Sequence, residues 1–393
     1  MRILFICHRY PFPPKRGGKI RPFNIIRHLA ASGHEVHVGS LVRSDVEQQE
    51  GNGLEKYCAS AFHARVTTPI QAARMVMRLP SRVPSSMGYF YSPDLKAHVN
   101  RLTNRLSFDA AFVHCSSVAQ YVELLPIRKH LDFGDMDSQK WLEYAQHKPF
   151  PMSLGYQLEG SKLMKEERRL STVFDQCSAT TRGELETLQS LNPAVKGDWF
   201  PNGVDGDFFK PVENYDADQI SFVGRLDYFP NQQGVLDFAR GAFPLIRAQR
   251  PSARFVIVGA EPPDFIRALE RIDGITVTGT VPDVRPYVTQ SALTVAPLLI
   301  ARGTQNKILE AMSMGVPVVS STPASKGVDA IAGEHLEVAD SARDVAEKCL
   351  HLMDSAERRK ALSEAGLQRV RTHHSWSASM SRLDQILRRL ATA

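Results

Sequence analysis

The chain has 393 residues, a formal net charge of +6 and 43% apolar residues, a composition that fits a soluble globular protein and excludes a disordered or fibrous one. This length exceeds one ordinary hydrophobic core and predicts two domains of similar size. The five cysteines are scattered without a C-x-x-C pair or zinc-like spacing, which predicts reduced thiols in a cytoplasmic protein. The apolar segment at the start is too short for a signal peptide, and no segment approaches membrane-spanning length.

Strand and helix patterns alternate along the chain, as in parallel-sheet α/β domains. In the first half, apolar runs predict strands over 2–6, 35–41, 110–113, 130–133 and 178–181. In the second half, they predict strands over 220–223, 254–258, 274–278, 293–296 and 316–320. We therefore expect two doubly wound sheets, with ligands bound at the carboxyl ends of their strands.

The segment from Asn306 to Val319 is the most informative part of the sequence. Apolar residues at three-to-four spacing predict a helix that ends at Gly315 and leads into a buried strand. Lys307 and Glu310 are expected to share an exposed face near the start of this helix, where the helix dipole favours a phosphate. An ordinary αβ unit with an i,i+3 ion pair is the alternative interpretation.

Three other segments of the sequence also look like motifs. They are W-F-P-N-G-V-D at 199–205, S-F-V-G-R-L at 221–226 and P-P-K-R-G-G at 13–18. Together with R-G-x-x-N-K-x-L-E-A-M at 302–312, these segments resemble, in order and spacing, the motifs of family 4 glycosyltransferases (group 1), which are retaining enzymes of the GT-B fold. Within that family, the chain looks most like sugar transferases of bacterial exopolysaccharide loci.

The resemblance implies a GT-B architecture of two Rossmann-like doubly wound domains facing each other across a cleft. Residues 1–200 would form the acceptor-side domain and residues 201–375 the nucleotide-sugar donor domain. The helical pattern at about 376–393 would pack back on the first domain, as in the family, although its periodicity is equally compatible with packing on its own half.

The implied reaction moves a sugar from a nucleotide-diphosphate donor, such as a UDP- or GDP-sugar, to an acceptor hydroxyl with retention and without a required metal or other cofactor. Arg225 and Lys307 would stabilise the leaving diphosphate, although each could instead be a surface ion-pair residue. Glu310 would accept hydrogen bonds from the ribose hydroxyls. The expected donor-binding residues are Gly17, Gly18, Asn202, Gly224, Arg225, Arg302, Gly303, Asn306, Lys307 and Glu310.

The first half supplies two further catalytic candidates, His114 and Asp137. His114 ends an apolar strand, where it could contact the donor sugar or handle the acceptor proton, or could be an ordinary core histidine. Asp135 and Asp137 follow the next strand and could bind acceptor hydroxyls or act as a base, although capping the helix that starts near Ser138 is the alternative for at least one of them. Residues 166–169, Glu-Glu-Arg-Arg, are most simply a salt-bridged helix face.

Two positions depart from the family pattern. Arg302 occupies the position where the family usually has the first of two signature glutamates, and Pro230 replaces the usual lysine after the loop arginine. Arg302 and Lys307 could restore the positive charge that is missing at Pro230. Neither can replace a carboxylate that binds sugar hydroxyls, so we expect altered donor binding.

The basic composition, with a pI of about 9.0, predicts anionic partners. The expected partners are a nucleotide sugar and a glycan or lipid-linked acceptor; nucleic acid is not expected, because no recognisable binding motif occurs. Residues 70–79, with Arg74, Arg78 and Arg82, could contact an anionic membrane at its inner face, or could be a solvated face beside a core stripe. Two alternatives to a transferase are a non-catalytic sugar-nucleotide-binding or scaffold protein and a nucleotide-sugar epimerase.

Overall fold

The computed structural model describes residues 1–14, 17–212 and 215–392. The chain divides into two compact units. The first unit consists of Met1–Phe200 and the chain from Met380 onward, and the second unit is Pro201–Ser379. No helix of the described residues is long and apolar enough to cross a membrane.

The first unit contains a seven-stranded parallel sheet in the order β3-β2-β1-β4-β5-β6-β7. Its strands are β1 Arg2–Cys7, β2 Glu35–Val42, β3 Ser60–Arg65, β4 Ala110–His114, β5 Arg128–Gly134, β6 Gln176–Ala179 and β7 Gly197–Trp199. The central strands are continuous apolar runs because helices cover both faces of a parallel sheet. The sequence predicts five of these seven strands and misses β3 and β7.

Eight helices of the first unit connect or cover these strands. They are α1 Gly17–Ala31, α2 Asp45–Glu50, α3 Thr68–Arg78, α4 Ser85–Tyr89, α5 Pro93–Arg105, α6 Asp137–Gln146, α7 Met152–Val173 and α8 Arg182–Leu191. Helix α1 buries Phe23, Ile26 and Leu29, which recur every three residues along one face.

The second unit contains a six-stranded parallel sheet in the order β10-β9-β8-β11-β12-β13. Its strands are β8 Asp216–Val223, β9 Arg254–Val258, β10 Ile275–Gly279, β11 Ser291–Ala296, β12 Val318–Ser320 and β13 Glu337–Val338. Its helices are α9 Phe229–Asp237, α10 Phe243–Gln249, α11 Asp264–Arg267, α12 Arg285–Thr289, α13 Asn306–Ser313, α14 Thr322–Ser325, α15 Ala342–Asp354 and α16 Ala356–His373.

The last helix, α17 Trp376–Thr392, begins in the second unit and continues in the first. Within the first unit it buries Leu383, Ile386 and Leu387, and its Asp384 accepts a hydrogen bond of 2.8 Å from His28 Nε2. These buried apolar residues hold α17 beside β7 and α1 of this unit.

Helix α13 ends as its sequence predicts. Gly315 adopts φ +69, a left-handed conformation that favours glycine. The Gly315 and Val316 amides donate to the carbonyls of Met312 and Ala311 at 3.0 and 2.9 Å, which satisfies the last turn. The chain then enters β12, which lies between β11 and the edge strand β13 in the sheet of the second unit.

Candidate functional site

In the second unit, most of the residues predicted to bind the donor gather at the carboxyl end of β8. Gly224 follows this strand, and a Cβ atom there would lie 2.8 Å from Asn231 Nδ2 and 2.9 Å from Lys307 Nζ. Only a glycine allows these two side chains to approach the backbone so closely. The loop after β8 and the first turn of α13 therefore meet at Gly224.

Lys307 is half-buried at this meeting point, and not on an exposed face as its sequence position predicts. Its Nζ donates to Asn231 Oδ1 at 2.6 Å and lies 4.4 Å from the centre of the Phe222 ring. Burial lowers the pKa of Lys307 to about 7, and the nearby Glu310 charge only partly offsets this effect. The Lys307 ammonium group thus loses its proton easily unless a neighbouring anion stabilises the positive charge.

Glu310 lies one turn further along α13 and is also half-buried, again contrary to the predicted exposed face. Burial raises the pKa of Glu310 to about 7, and Lys307 opposes that shift. Both side chains are described, and they form no ion pair with each other, contrary to the alternative interpretation. Within the described residues the Glu310 carboxylate has no hydrogen-bond donor. A desolvated carboxylate without a partner is typical of a ligand site.

Asn231, in the first turn of α9, links the two predicted cationic residues. This buried side chain accepts the hydrogen bond from Lys307 and donates from Nδ2 to the Arg225 carbonyl oxygen at 2.8 Å. The sequence shows Asn231 only as part of the D-Y-x-P-N pattern and gives it no role. Asn231 directly follows Pro230, the position at which the resemblance implies a lysine, so an amide that binds the distant Lys307 lies next to this position.

Arg225 is partly exposed, with 39% of its side chain accessible. Its guanidinium contacts Asp227 Oδ2 at 2.7 Å and Glu261 Oε2 at 2.6 Å. Glu261 holds this position with φ +57, which is unusual for a residue with a side chain. The alternative prediction of a surface ion pair thus describes Arg225 in the absence of a ligand.

The remaining predicted residues of the second unit lie on either side of the first turn of α13. Asn202 Nδ2 donates to Asn306 Oδ1 at 3.3 Å. Arg302 and Gly303 form the loop before the helix, and Gly303 adopts φ +62. Gln305 Nε2 fixes this loop through a hydrogen bond of 3.0 Å to the Arg302 carbonyl oxygen.

In the first unit, His114 ends β4 and Asp137 begins α6. His114 Nδ1 lies 2.7 Å from Asp132 Oδ2, while Asp137 Oδ2 lies 3.8 Å from Cys115 Sγ. Burial raises the pKa of Asp137, and the neighbouring Lys140 charge lowers it less strongly. These groups form a second polar cluster, at the carboxyl ends of β4 and β5.

The helix α6 is capped differently from the sequence prediction. Neither Asp135 nor Asp137 caps it: Asp135 accepts a hydrogen bond of 2.9 Å from Thr180 Oγ1, and the N-cap residue is Met136. The amides of Met136 and Ser138 instead donate to Glu184 and Glu167 at 2.7 and 3.0 Å. Glu167 is buried and caps another helix. It therefore does not belong to a salt-bridged surface, contrary to the prediction.

The predicted glycine loop is only partly described. Lys15 and Arg16 lie outside the described residues, and Gly17 and Gly18 form the first turn of α1 instead of a loop. A Cβ atom at Gly18 would meet only the Arg9 side chain, at 3.6 Å. Close packing therefore does not require glycine at position 18, and the phosphate role of both glycines stays a prediction.

A family comparison covers the second unit. Residues 217–355 match the family model for glycosyl transferases group 1. The matched range contains Gly224, Arg225, Asn231, Lys307 and Glu310, whereas Asn202 lies outside it. This match supports a group 1 glycosyl transferase domain in this part of the chain.

Solved structures match nearly the whole chain. Sucrose-phosphate synthase from Thermosynechococcus elongatus is 16% identical with a TM-score of 0.71 and 99% of each chain covered. HepE of Anabaena in complex with UDP is 13% identical with a TM-score of 0.70 over 98% of this chain and 99% of that chain. TarM is 10% identical with a TM-score of 0.72 over 100% of this chain and 99% of that chain. The predicted GT-B fold is confirmed.

One curated relative is similar in sequence along most of the chain. A Klebsiella pneumoniae protein described as an uncharacterized 44.6 kDa protein in a cps region is 21% identical over 365 residues, which are 86% of this chain and 87% of the relative. The matched group 1 domain and the GT-B fold together support a glycosyltransferase.

The contacts of Asn231 lead to a stability prediction. Asn231→Ala removes the acceptor of the Lys307 ammonium and the donor to the Arg225 carbonyl, so the free energy of unfolding should fall by about 1–3 kcal/mol. Urea unfolding measures this change. The matched control is Gln233→Ala on the same helix, which removes only an exposed hydrogen bond to Asp237 and should change stability by no more than about 0.5 kcal/mol. Equal losses in the two variants would contradict the assigned role of Asn231.

Proposed function

We propose that the protein is a family 4 glycosyltransferase that moves a sugar from a nucleoside diphosphate sugar to an acceptor hydroxyl with retention. The observation that carries the proposal is the Glu310 carboxylate, which is half-buried and receives no hydrogen bond from any described residue, one turn from the half-buried Lys307. A protein gains nothing in stability from such a pair of charges. A ligand that carries both hydroxyl groups and a diphosphate would satisfy both residues.

In this proposal the ribose hydroxyls donate to Glu310 and the diphosphate lies at the first turn of α13, beside Gly224. Helix α13 contributes its free backbone N–H groups and the positive end of its dipole. Lys307 and Arg225 oppose the charge that develops on the diphosphate as the bond to the sugar breaks. These two cations supply the neutralisation, so the proposed reaction requires no metal ion, and activity should persist in excess EDTA.

A uridine nucleotide is the donor class that we propose. HepE of Anabaena has been solved with UDP and with UDP-glucose, and it shares the GT-B fold of this chain. The acceptor that we propose is a glycan or a lipid-linked glycan of an exopolysaccharide. Its support is the cps-region relative from Klebsiella pneumoniae and the S. aureus TarM complex with UDP and alpha-GlcNAc-glycerol.

One observation favours a second candidate, a non-catalytic sugar-nucleotide-binding protein. The Arg225 guanidinium is already neutralised by Asp227 and Glu261, and the first signature glutamate is replaced by Arg302. Such a protein would bind the nucleotide but would release no nucleoside diphosphate from any donor and acceptor pair. The transferase predicts release that depends on the acceptor, whereas an epimerase would convert the sugar without an acceptor.

The donor site is tested by nucleotide binding. We expect calorimetry against UDP, GDP, ADP, dTDP and their sugar conjugates to select UDP. Glu310→Gln should weaken that binding by about 10- to 150-fold, because a hydrogen bond to a charged acceptor contributes about 1.5–3 kcal/mol. Glu364→Gln is the matched control, since Glu364 is exposed on α16. Unchanged affinity in a folded Glu310→Gln variant would remove Glu310 from the site.

The lowered pKa of Lys307 gives a pH prediction. Glu310 titrates near the same pH with the opposite effect on binding, so the Glu310→Gln variant isolates Lys307. In that variant, UDP affinity should fall about tenfold per pH unit between about pH 7.5 and 9.5, because the anion binds the protonated amine and each unit deprotonates it further. Adding Lys307→Arg should abolish the slope, since a guanidinium stays charged. A pH-dependent slope that survives Lys307→Arg would assign the titration to another group.

We further propose that the enzyme works as a peripheral protein on the inner face of an anionic membrane. Helix α3 buries only Gln71 fully, and its apolar residues Val76 and Met77 are exposed, which favours the membrane interpretation of this segment over the alternative of a core stripe. The segment 66–93 contains three arginines and no acidic residue. A second acid-free segment, 144–158, exposes Phe150 and Leu154.

These two segments are neighbours in the first unit. Lys162 Nζ of α7 donates to the Leu79 carbonyl oxygen at 2.8 Å, and Glu159 of α7 accepts a hydrogen bond of 2.9 Å from the Ser85 amide. Both polar residues are buried and fix the start of α7 beside the chain that follows α3. Exposed apolar groups among basic residues fit the interface of an anionic bilayer.

Vesicle binding tests this surface. The protein should sediment with vesicles that contain phosphatidylglycerol and not with pure phosphatidylcholine, and the double variant Met77→Glu, Phe150→Glu should lose this binding. Leu124→Glu is the matched control, because Leu124 is 85% exposed in the same unit outside both segments. Equal vesicle binding by the double variant and the control would contradict the membrane surface.

A further inference from the structure

Arg21, Asp132 and His114 converge in the interior of the first unit, on α1, β5 and β4. We infer that Asp132, anchored by Arg21, is a positioning residue that holds His114 in the tautomer whose Nε2 accepts a hydrogen bond from a sugar hydroxyl. The identity of the hydroxyl rests on the proposed function, whereas the tautomer does not. Neither Asp132 nor Arg21 is among the residues that the sequence motifs indicate.

The anchor is a two-pronged ion pair. Arg21 Nε donates to Asp132 Oδ2 at 2.8 Å and Nη2 donates to Oδ1 at 2.9 Å. Arg21 Nη1 donates to the Phe200 carbonyl oxygen at 2.8 Å, and its guanidinium lies 3.7 Å from the centre of the Phe200 ring. Because the guanidinium is planar and permanently charged, this arrangement fixes the plane of the Asp132 carboxylate.

The charge state of Asp132 follows from these contacts. Burial raises its pKa, but the Arg21 charge and the hydrogen bonds from Arg21 and His114 hold the pKa well below its usual range. Ser178 Oγ donates to Oδ1 at 2.9 Å, so each carboxylate oxygen has two partners. An ionised carboxylate can only accept hydrogen bonds.

The tautomer of His114 is a consequence of that charge. Nδ1 lies 2.7 Å from Asp132 Oδ2 and must carry the hydrogen of this bond. In the neutral ring, Nε2 is then an acceptor. No described residue forms a hydrogen bond with Nε2, and the ring lies at the end of β4 and retains some exposure.

Other charged and titratable groups face this ring from neighbouring elements. The His8 ring, which follows β1, lies 5.8 Å away, and burial followed by the charge of His114 lowers the pKa of His8. Asp137 of α6 also acts on His114 electrostatically. None of the hydrogen bonds of Asp137 or His8 in the described chain involves His114, so Asp132 alone determines which nitrogen of His114 is protonated.

A first test observes the tautomer directly and needs no activity. Long-range ¹⁵N–¹H correlation spectra of the histidine-labelled full chain, with His114→Asn used for assignment, should show His114 protonated at Nδ1 and unprotonated at Nε2 at neutral pH. Asp132→Asn should reverse this pattern, because an amide N–H can donate to Nδ1. A wild-type ring protonated at Nε2 would overturn the inference, whatever reaction the protein catalyses.

A second test separates positioning from a structural role. With donor and acceptor present, Asp132→Asn and His114→Asn should each lower kcat/KM by about 10- to 100-fold, and the double variant should lose no more than His114→Asn alone. Additive losses in the double variant would show a structural role only.

The same variants identify the source of the hydroxyl. If the donor sugar supplies it, His114→Asn weakens donor binding in calorimetry without acceptor; if the acceptor supplies it, donor affinity stays unchanged and the acceptor KM rises. Should Asp132→Asn fail to fold, His114→Asn keeps a donor to Asp132 while removing Nε2, and its kinetics still test the assigned group. Full activity of a folded His114→Asn would overturn the proposed contact with a hydroxyl.

Discussion

Burial of charged side chains at the carboxyl ends of parallel strands is the constraint on which the chemistry of both units depends. A charge removed from water costs several kcal/mol unless other groups replace its hydration. The first unit meets that requirement internally, since Arg21, His114 and Ser178 donate four hydrogen bonds to Asp132. In the second unit, one amide oxygen meets it for Lys307, whereas no described residue meets it for Glu310. A buried charge whose lost hydration no other group replaces is typical of a binding site, whereas the partners in a structural ion pair replace it.

The same constraint explains what the sequence could predict. The apolar strands at the centre of each sheet follow from their continuous hydrophobic runs, whereas β3, β7 and β13 lie at sheet edges and are polar or only two to six residues long. The residues around Gly224 can be predicted from the sequence because they belong to motifs. The burial of Lys307 and Glu310 cannot, because their spacing on α13 shows only that they share a face, and not what covers that face.

The missed residues have partners that are far away in the sequence. Glu166 and Glu167 are neighbours, yet Glu166 pairs with Arg169 at the surface and Glu167 caps α6 from 29 residues away. Asp132 belongs to an apolar strand, and its partner Arg21 is 111 residues distant. Local periodicity treats each of these charges as a solvated one, because the group that replaces water lies on another element. A charged residue inside an apolar strand is the one signal that could have indicated Asp132.

Arg225 differs from Lys307 in that carboxylate side chains already neutralise its charge. Its partners Asp227 and Glu261 are exposed, so each of these ion pairs contributes little to stability. A diphosphate carries more charge than either carboxylate and would compete for the same guanidinium, while Asp227 and Glu261 would return to water at small cost. No described carboxylate forms such an exposed ion pair with Lys307, and an anion bound beside it would offset its desolvation further than the Asn231 amide oxygen does. The two cations would therefore respond differently to the diphosphate. Arg225 would exchange one anionic partner for another, and Lys307 would gain an anionic partner.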